Sequence, residues 1–277
     1  MSMGHLQKAG DVVAGGRQPV ADDIECILQR LDGAIIEAVK MISDEGVMAL
    51  SGGVDSALVA GLAKRECLVV GVSGSHDMLR ARQAASALGL TLHEVLIDPS
   101  EIEGAIREVL AVIPYKDPVN VSIATTLYFV CRWAGDHGHE RIIAGQGADE
   151  LFGGYCRYLS SRDLVFDMEK DIAGLPGQLA RDRSVAGLFG AQFSLPYLNE
   201  KVVAVARTIP AEVRIRDQVR KWPLRSVAAR HIPADIAWHG KKAMQYGSGV
   251  MKEMERLASR RGYKKALQGY LNEIEKE

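Results

Sequence analysis

The sequence predicts an α/β protein: a twisted parallel sheet with helices on both faces, followed by a helical C-terminal half. Three observations carry this. Short apolar runs alternate with helix-forming segments through the first half of the chain, the pattern of strands joined by crossover helices. Two of those runs, ending at Leu50 and Ala144, lead into turns that combine glycines with an aspartate. Beyond Tyr155 the pattern is helical with no further strong strand, so the sheet is expected to be complete by then.

In chain order, residues 1–20 mix glycine, glutamine and single charges without period and read as a loose tail. Asp22 or Asp23 can cap a helix whose Ile24, Ile27, Leu28, Leu31, Ile35, Val39 and Ile42 recur at helical spacing, a core-facing stripe. Val47 to Leu50 is the first strand, and Ala57 to Ala63 lies in the helix after it. Cys67 to Val72 is a buried strand, Asp77 to Leu88 a helix stopped by Gly89, and Thr91 to Leu96 a third strand. Pro99 suits the first turn of another helix. Lys116-Asp117-Pro118 breaks the pattern before a helix from about Ser122 to Gly135, and Arg141 to Ala144 is the next strand. The main domain is expected over residues 21–250. A charged C-terminal helix over 251–277 can dock on it or pair with a second copy, giving a homo-oligomer.

A chain of 277 residues can bury a full core. Its 34 lysines and arginines balance 35 acids, so net charge gives no case for nucleic acid or a membrane surface. No apolar run reaches spanning length and no signal-peptide pattern opens the chain. Cys26, Cys67, Cys131 and Cys156 have no metal-binding or redox spacing and read as buried thiols. A cytoplasmic protein is expected.

The stretch Leu50-Ser51-Gly52-Gly53-Val54-Asp55-Ser56 has the makings of a phosphate cradle. Gly52 and Gly53 let the backbone approach an anion, Ser51 and Ser56 offer hydroxyls, and the helix start adds free N–H groups. Asp55 would repel phosphates unless a cation sits between them, which points to Mg²⁺. No lysine follows as a Walker loop requires. The second stretch, Gly145-Gln146-Gly147-Ala148-Asp149-Glu150-Leu151-Phe152-Gly153-Gly154-Tyr155, again ends a strand in glycines and an acid, so Asp149 is expected to meet the same metal as Asp55. Ser73-Gly74-Ser75 follows another strand on the same rim and is a candidate lip around adenosine.

The first loop resembles that of the pyrophosphatase-loop enzymes, which split ATP into AMP and pyrophosphate. The second resembles the signature of the asparagine synthetases within that group, and the resemblance runs from about Val47 to Val250. Gly74-Ser75-His76-Asp77, Leu195-Pro196-Tyr197-Leu198, Lys221-x-x-Leu224-Arg225 and Ala237-Trp238-His239-Gly240-Lys241 are further matches. The resemblance implies an adenine nucleotide alpha hydrolase-like fold and an AMP-forming carbon–nitrogen ligase using ATP and Mg²⁺. It implies nucleotide contacts at Leu50, Ser51, Gly52, Gly53, Asp55, Ser56, Val72, Ser73 and Gly147, with Asp55 and Asp149 on the metal. It makes Lys241 the lysine that meets the α- and β-phosphates, on a flexible loop completed by residues 245–249.

Departures from the family pattern bear on substrate. Gln146 stands where asparagine synthetases carry a glutamate thought to deprotonate ammonia, and glutamine cannot serve as a base. Ser122 and Ser194 stand in for pocket arginines, and Gln192 and Asn199 for acids, which favours a substrate less charged, or differently placed, than aspartate. Glu150 is an alternative base. Ser2 occupies the place of the cysteine nucleophile that heads the family's glutaminase domain, so the nitrogen is expected to come from ammonia, an amine or a separate glutaminase subunit. The rival reading is ATP-dependent modification of tRNA or another large substrate by the same adenylation chemistry. Arg207 to His231 carries six arginines and Lys221, but Trp222 is its only aromatic residue, so a phosphate-facing wall is preferred to an RNA site.

Overall fold

The computed structural model describes residues 21–42, 45–240, 244–264 and 266–277; the expected tail over residues 1–20 and Lys241 lie outside them. The chain begins with α1 (Ala21–Lys40), then β1 (Val47–Ala49), α2 (Val54–Ala63), β2 (Cys67–Gly71), α3 (His76–Leu88) and β3 (Leu92–Leu96). Next come α4 (Ile102–Val112), α5 (Pro118–Asp136), β4 (Arg141–Ile143), α6 (Ala148–Phe152), α7 (Leu164–Gly187) and β5 (Gln192–Ser194). After these follow α8 (Glu200–Arg207), α9 (Ala211–Arg214), the hairpin β6 (Ile215–Arg216) and β7 (Val219–Arg220), and α10 (Trp222–Ala228). The last elements are α11 (Ala234–Ala237), α12 (Met244–Gly247), α13 (Val250–Arg260) and α14 (Leu267–Ile274).

Five strands form one parallel sheet in the order β3-β2-β1-β4-β5. The chain winds outward from β1 through β2 to β3, then returns to the other side of β1 with β4. The strand order therefore reverses between β1 and β4, where an open α/β sheet leaves a crevice at its carboxyl edge. Asp55 and Asp149 follow these two strands.

Each face of the sheet has its own apolar layer. Leu31 and Ile35 of α1, Leu58 of α2, Ala81 of α3 and Leu224 of α10 pack on one side. Ile106 of α4, Phe129 of α5, Val185 of α7, Met254 of α13 and Tyr270 of α14 pack on the other.

The sequence reading differs from the structure in four respects. β5 is a fifth strand, missed because only Gln192, Phe193 and Ser194 form it and they lack an apolar run. The expected single C-terminal helix is two, α13 and α14, both packed into the second layer. Cys67 and Cys131 are buried as expected, but Cys26 and Cys156 are exposed. Finally, the segment expected as a flexible loop, residues 245–249, is held at one point: Ser248 is buried, its carbonyl accepts Val72 N–H at 3.0 Å, and its hydroxyl meets Thr126 Oγ1 at 3.1 Å. Among the described residues no helix is long and apolar enough to cross a membrane.

At the amino edge of the sheet, Glu66 meets His93 Nε2 at 2.8 Å and His139 Nε2 at 3.5 Å. The hydrogen bond from His93 is the main reason the Glu66 carboxyl lies below the ordinary glutamate range. A carboxyl lowered by folding stabilises the fold above its unfolded pKa and loses that contribution as pH falls through the folded one. Glu66→Gln is therefore expected to flatten the acid limb of stability, measured by urea unfolding between about pH 3 and 6, with only a small effect at neutral pH.

Candidate active site

The first loop turns at Gly52, whose φ of +75° favours glycine and where a Cβ would stand 2.4 Å from the Arg80 carbonyl carbon. Ser56 closes the loop from the first turn of α2. Its hydroxyl donates to the Gly53 carbonyl at 3.1 Å, accepts Ser51 N–H at 3.2 Å and meets Ser51 Oγ at 3.2 Å. The loop borders a small cleft whose other walls are His76, Asp77, Arg80, His239 and Gly240. A larger cavity of about 380 Å³ lies to one side, lined by the exposed Ser73-Gly74 turn, Met78, Leu79 and Leu96.

The second loop packs against the first: Gly145 lies where a Cβ would be 3.1 Å from Asp55 Cβ. Gly147, at φ +89°, leaves room for Leu198. Leu50, Ser51, Gly52, Gly53, Asp55, Ser56, Gly147 and Asp149 are thus gathered at the β1/β4 crevice. Val72 and Ser73 stand beside it at the end of β2, with the Val72 N–H engaged by Ser248.

The centre of this assembly is a lysine the sequence reading passed over. Lys221 Nζ lies 2.7 Å from both oxygens of Asp55 and 2.6 Å from Asp149 Oδ1. Lys221 and Asp55 are 2% and 3% exposed, whereas Asp149 is more open. Lys221 caps α10 in the left-handed region at φ +56°, directly after the β6–β7 hairpin, whose tip residues Asp217 and Gln218 also have positive φ. A non-glycine residue held there costs of order 1 kcal/mol, so the surrounding contacts fix the lysine against local preference. Gly154 makes the arrangement sterically feasible, since a Cβ there would fall 1.9 Å from Asp149 Oδ1 and 2.1 Å from Lys221 Cε.

The other matched motifs support this centre. Tyr197, fully buried, donates its hydroxyl to the Asp55 carbonyl at 2.9 Å. Arg225 donates to the carbonyls of Ala237 at 2.7 Å and His239 at 2.9 Å, fixing the strand of chain that leads to residue 241. Burial is the main cause of its lowered pKa. Arg214 donates to the carbonyls of Leu151, Ala206 and Ile209, and Arg220 to that of Gly154. Arg230 pairs with Glu25 and Asp32. The expected phosphate-facing wall is therefore mostly a set of carbonyl clamps, with Lys221 as the cation that faces the crevice carboxylates.

Gln146 and Glu150 face α7 through two polar rungs. Glu150, 3% exposed, accepts from Gln178 Nε2 at 3.0 Å and from Tyr155 Oη. Glu150 is thus a buried acceptor that ties α6 to α7 and to Tyr155. One turn further along α7, Asp182 has its pKa raised chiefly by burial, with Arg181 and the nearby Gln146 side chain opposing the rise. Arg181 Nε and Nη2 lie 2.8 and 2.7 Å from Asp182 Oδ1, and Arg181 Nη1 donates to Asn120 Oδ1 at 2.7 Å. The pair could not be found from sequence, where Arg181-Asp182 looks like an exposed helical face. Of the positions read as a substrate pocket, Ser122 is 0% exposed and the half-buried Asn199 caps α8 by accepting from Lys201 N–H. Ser194 Oγ accepts from Arg141 Nη1 at 3.2 Å, and Gln192 is exposed at the opposite end of β5.

A parallel sheet with its polar centre at the switch point, where two strand-end carboxylates meet Lys221, puts the candidate site in the crevice at which open α/β sheets bind ligands. The asparagine synthase family model matches residues 30–187 and 170–273, and the chain belongs to that family. A Methanocaldococcus jannaschii protein assigned as a glutamine-hydrolysing asparagine synthetase is 29% identical, covering 91% of this chain and 55% of that protein. Asparagine synthetase B of Escherichia coli K12 is 26% identical over 73% of this chain and 40% of its own length. The Gallus gallus enzyme is 27% identical over 90% and 48%. The chain thus spans about half the length of these curated relatives. A solved U34-tRNA thiolase from Methanococcus maripaludis overlaps 91% of the chain and 80% of its own at 14% identity, with a TM-score of 0.36 that supports no further comparison.

Proposed function

We propose that the chain is an ATP-dependent, amide-forming ligase of the asparagine synthetase type, activating a small carboxylic acid for attack by ammonia or an amine. One observation carries this reading: Asp55 and Asp149, at the ends of adjacent strands, both reach the ammonium of Lys221. The ammonium of Lys221 stands where a metal ion serving both carboxylates would stand, so this donor set fits Mg²⁺. Bound there, Mg²⁺ would supply charge compensation to the phosphates of ATP.

The remaining roles belong to the chain itself. Gly52, Gly53 and the first turn of α2 offer backbone N–H groups to phosphate, with Ser51 and Ser56 shaping the loop. Leu50, Val72, Ser73 and Gly147 border the nucleoside. Lys221, released from the carboxylates, and Lys241, carried by a segment whose flank Arg225 holds, offset the charge of departing pyrophosphate. The substrate carboxylate attacks the α-phosphorus and pyrophosphate leaves; a neutral amine then attacks the mixed anhydride and AMP leaves. Positioning and charge stabilisation account for the rate. Gln146 can orient the nucleophile but cannot take its proton, so that proton passes to the departing AMP phosphate. A separate glutaminase is a candidate nitrogen source, and cytoplasmic residence suits these small-molecule substrates. No observation favours tRNA, because Arg214, Arg220, Arg225 and Arg230 of the basic stretch are engaged by carbonyls and acids.

The test is product analysis with Mg²⁺-ATP, ammonium and a panel of carboxylic acids beginning with aspartate. AMP and a new amide are expected. ADP as the nucleotide product would overturn the mechanism, while AMP with another acid alone would move the substrate away from aspartate.

A further inference from the structure

We propose that Lys221 keeps metal off Asp55 and Asp149 until nucleotide arrives, so that divalent cation enters only together with the triphosphate. The inference rests on reading Asp55 and Asp149 as a cation site and adds the order in which that site fills. Its basis is the distance set: one ammonium within 2.7 Å of three carboxylate oxygens from two strand ends, almost fully removed from solvent.

Two carboxylates this close need a counter-cation, and Lys221 already supplies one. A hydrated Mg²⁺ arriving alone must displace a buried, tethered ammonium and give up water, with no new anion to receive the lysine. A triphosphate changes the balance. It brings several negative charges to the loop over Asp55 and gives the ammonium an alternative partner, and lysine's flexible stem lets the charge pivot while the backbone stays fixed at φ +56°. The left-handed cap, the space left by Gly154 and the buried stem fix the resting position. Lys221 is thus a positioning residue for both carboxylates before nucleotide arrives. The arrangement also prevents adventitious divalent ions from occupying the phosphate site ahead of substrate.

Mn²⁺ uptake by the full chain, read from the free-ion EPR signal with and without α,β-methylene-ATP, tests this without turnover. Wild type is expected to take up Mn²⁺ with the analogue and not without it. Lys221→Met should bind Mn²⁺ without nucleotide at least about tenfold more tightly than wild type, and Lys221→Met/Asp149→Asn should lose that gain. Equal nucleotide-free affinity in wild type and Lys221→Met overturns the inference. If Lys221→Met does not fold, the wild-type comparison decides: uptake as tight without the analogue as with it overturns the proposal. Nucleotide-free Mn²⁺ binding gained in Lys221→Met, with no analogue bound by either protein, would support the lysine's role while the ligase reading fails.

Discussion

Asp149→Asn is expected to lower AMP formation by at least about a hundredfold, the loss typical when one preorganised charge-stabilising group is removed. The fold should persist. Asp149 lies at the mouth of the crevice with part of its side chain in solvent, and its neighbour Asp55 still pairs with Lys221 in the variant. The asparagine amide is nearly isosteric, so the tight space under Gly154 remains filled without a new clash. What disappears is one negative charge from the pair that would hold the metal, and with it the compensation of pyrophosphate as it departs. Thermal unfolding, AMP release and Mn²⁺ uptake in the presence of α,β-methylene-ATP should therefore separate: the first nearly unchanged, the other two strongly reduced. Wild-type AMP release from Asp149→Asn would remove Asp149 from the cation site and with it the main support for the proposed function.

The two aspartates were legible in the sequence because each sits in a local pattern, a short apolar strand followed by glycines, that fixes its place at a sheet edge. Four of the five parallel strands were legible from their short runs alternating with helix-forming segments. β5 was not, since three residues held by pairing to β4 leave no hydrophobic period of their own. Lys221 was quoted as part of a motif yet not recognised as the central cation, because it reaches Asp55 across 166 residues of chain and no local pattern encodes that contact. The arginines around it were misread for a related reason. A cluster of positive charges in sequence looks like an anion site until the carbonyls of Ala206, Ile209, Leu151, Ala237 and His239 are known to face it. Charge composition reports how many cations a segment holds, whereas their partners are set by tertiary packing. Ser122 shows the same limit: its helix was foreseen, but the burial of its face depends on α7 and on Ser248.

Arg181→Leu is expected to cost about 3–5 kcal/mol, because it leaves the Asp182 carboxylate in the core without its cation. For a chain of this size that corresponds to a fall in Tm of roughly 10 °C. The pair is almost wholly buried between α5, α7 and the loop after β4, and Gln146 alone cannot replace a guanidinium. Burial already pushes the Asp182 pKa upward, and removing Arg181 pushes it further. A carboxyl raised by folding contributes stability that is complete below its unfolded pKa and is lost as pH rises through the folded value. The deficit of Arg181→Leu should consequently be small in acid and grow toward neutral pH, opposite in sign to the effect of Glu66. The double variant Arg181→Leu/Asp182→Leu should recover much of the loss, since two apolar side chains replace a pair that was costly to bury. Glu37→Ala, which breaks the exposed Lys201–Glu37 pair, should change stability by no more than about 1 kcal/mol. Urea unfolding of these variants across pH separates a buried charge from simple loss of packing: a deficit independent of pH, with no recovery in the double variant, would show that Arg181 supports α7 through its volume alone. In the expected case the effect stays local to α5, α7 and the loop after β4, and Asp55, Asp149 and Lys221 keep their places.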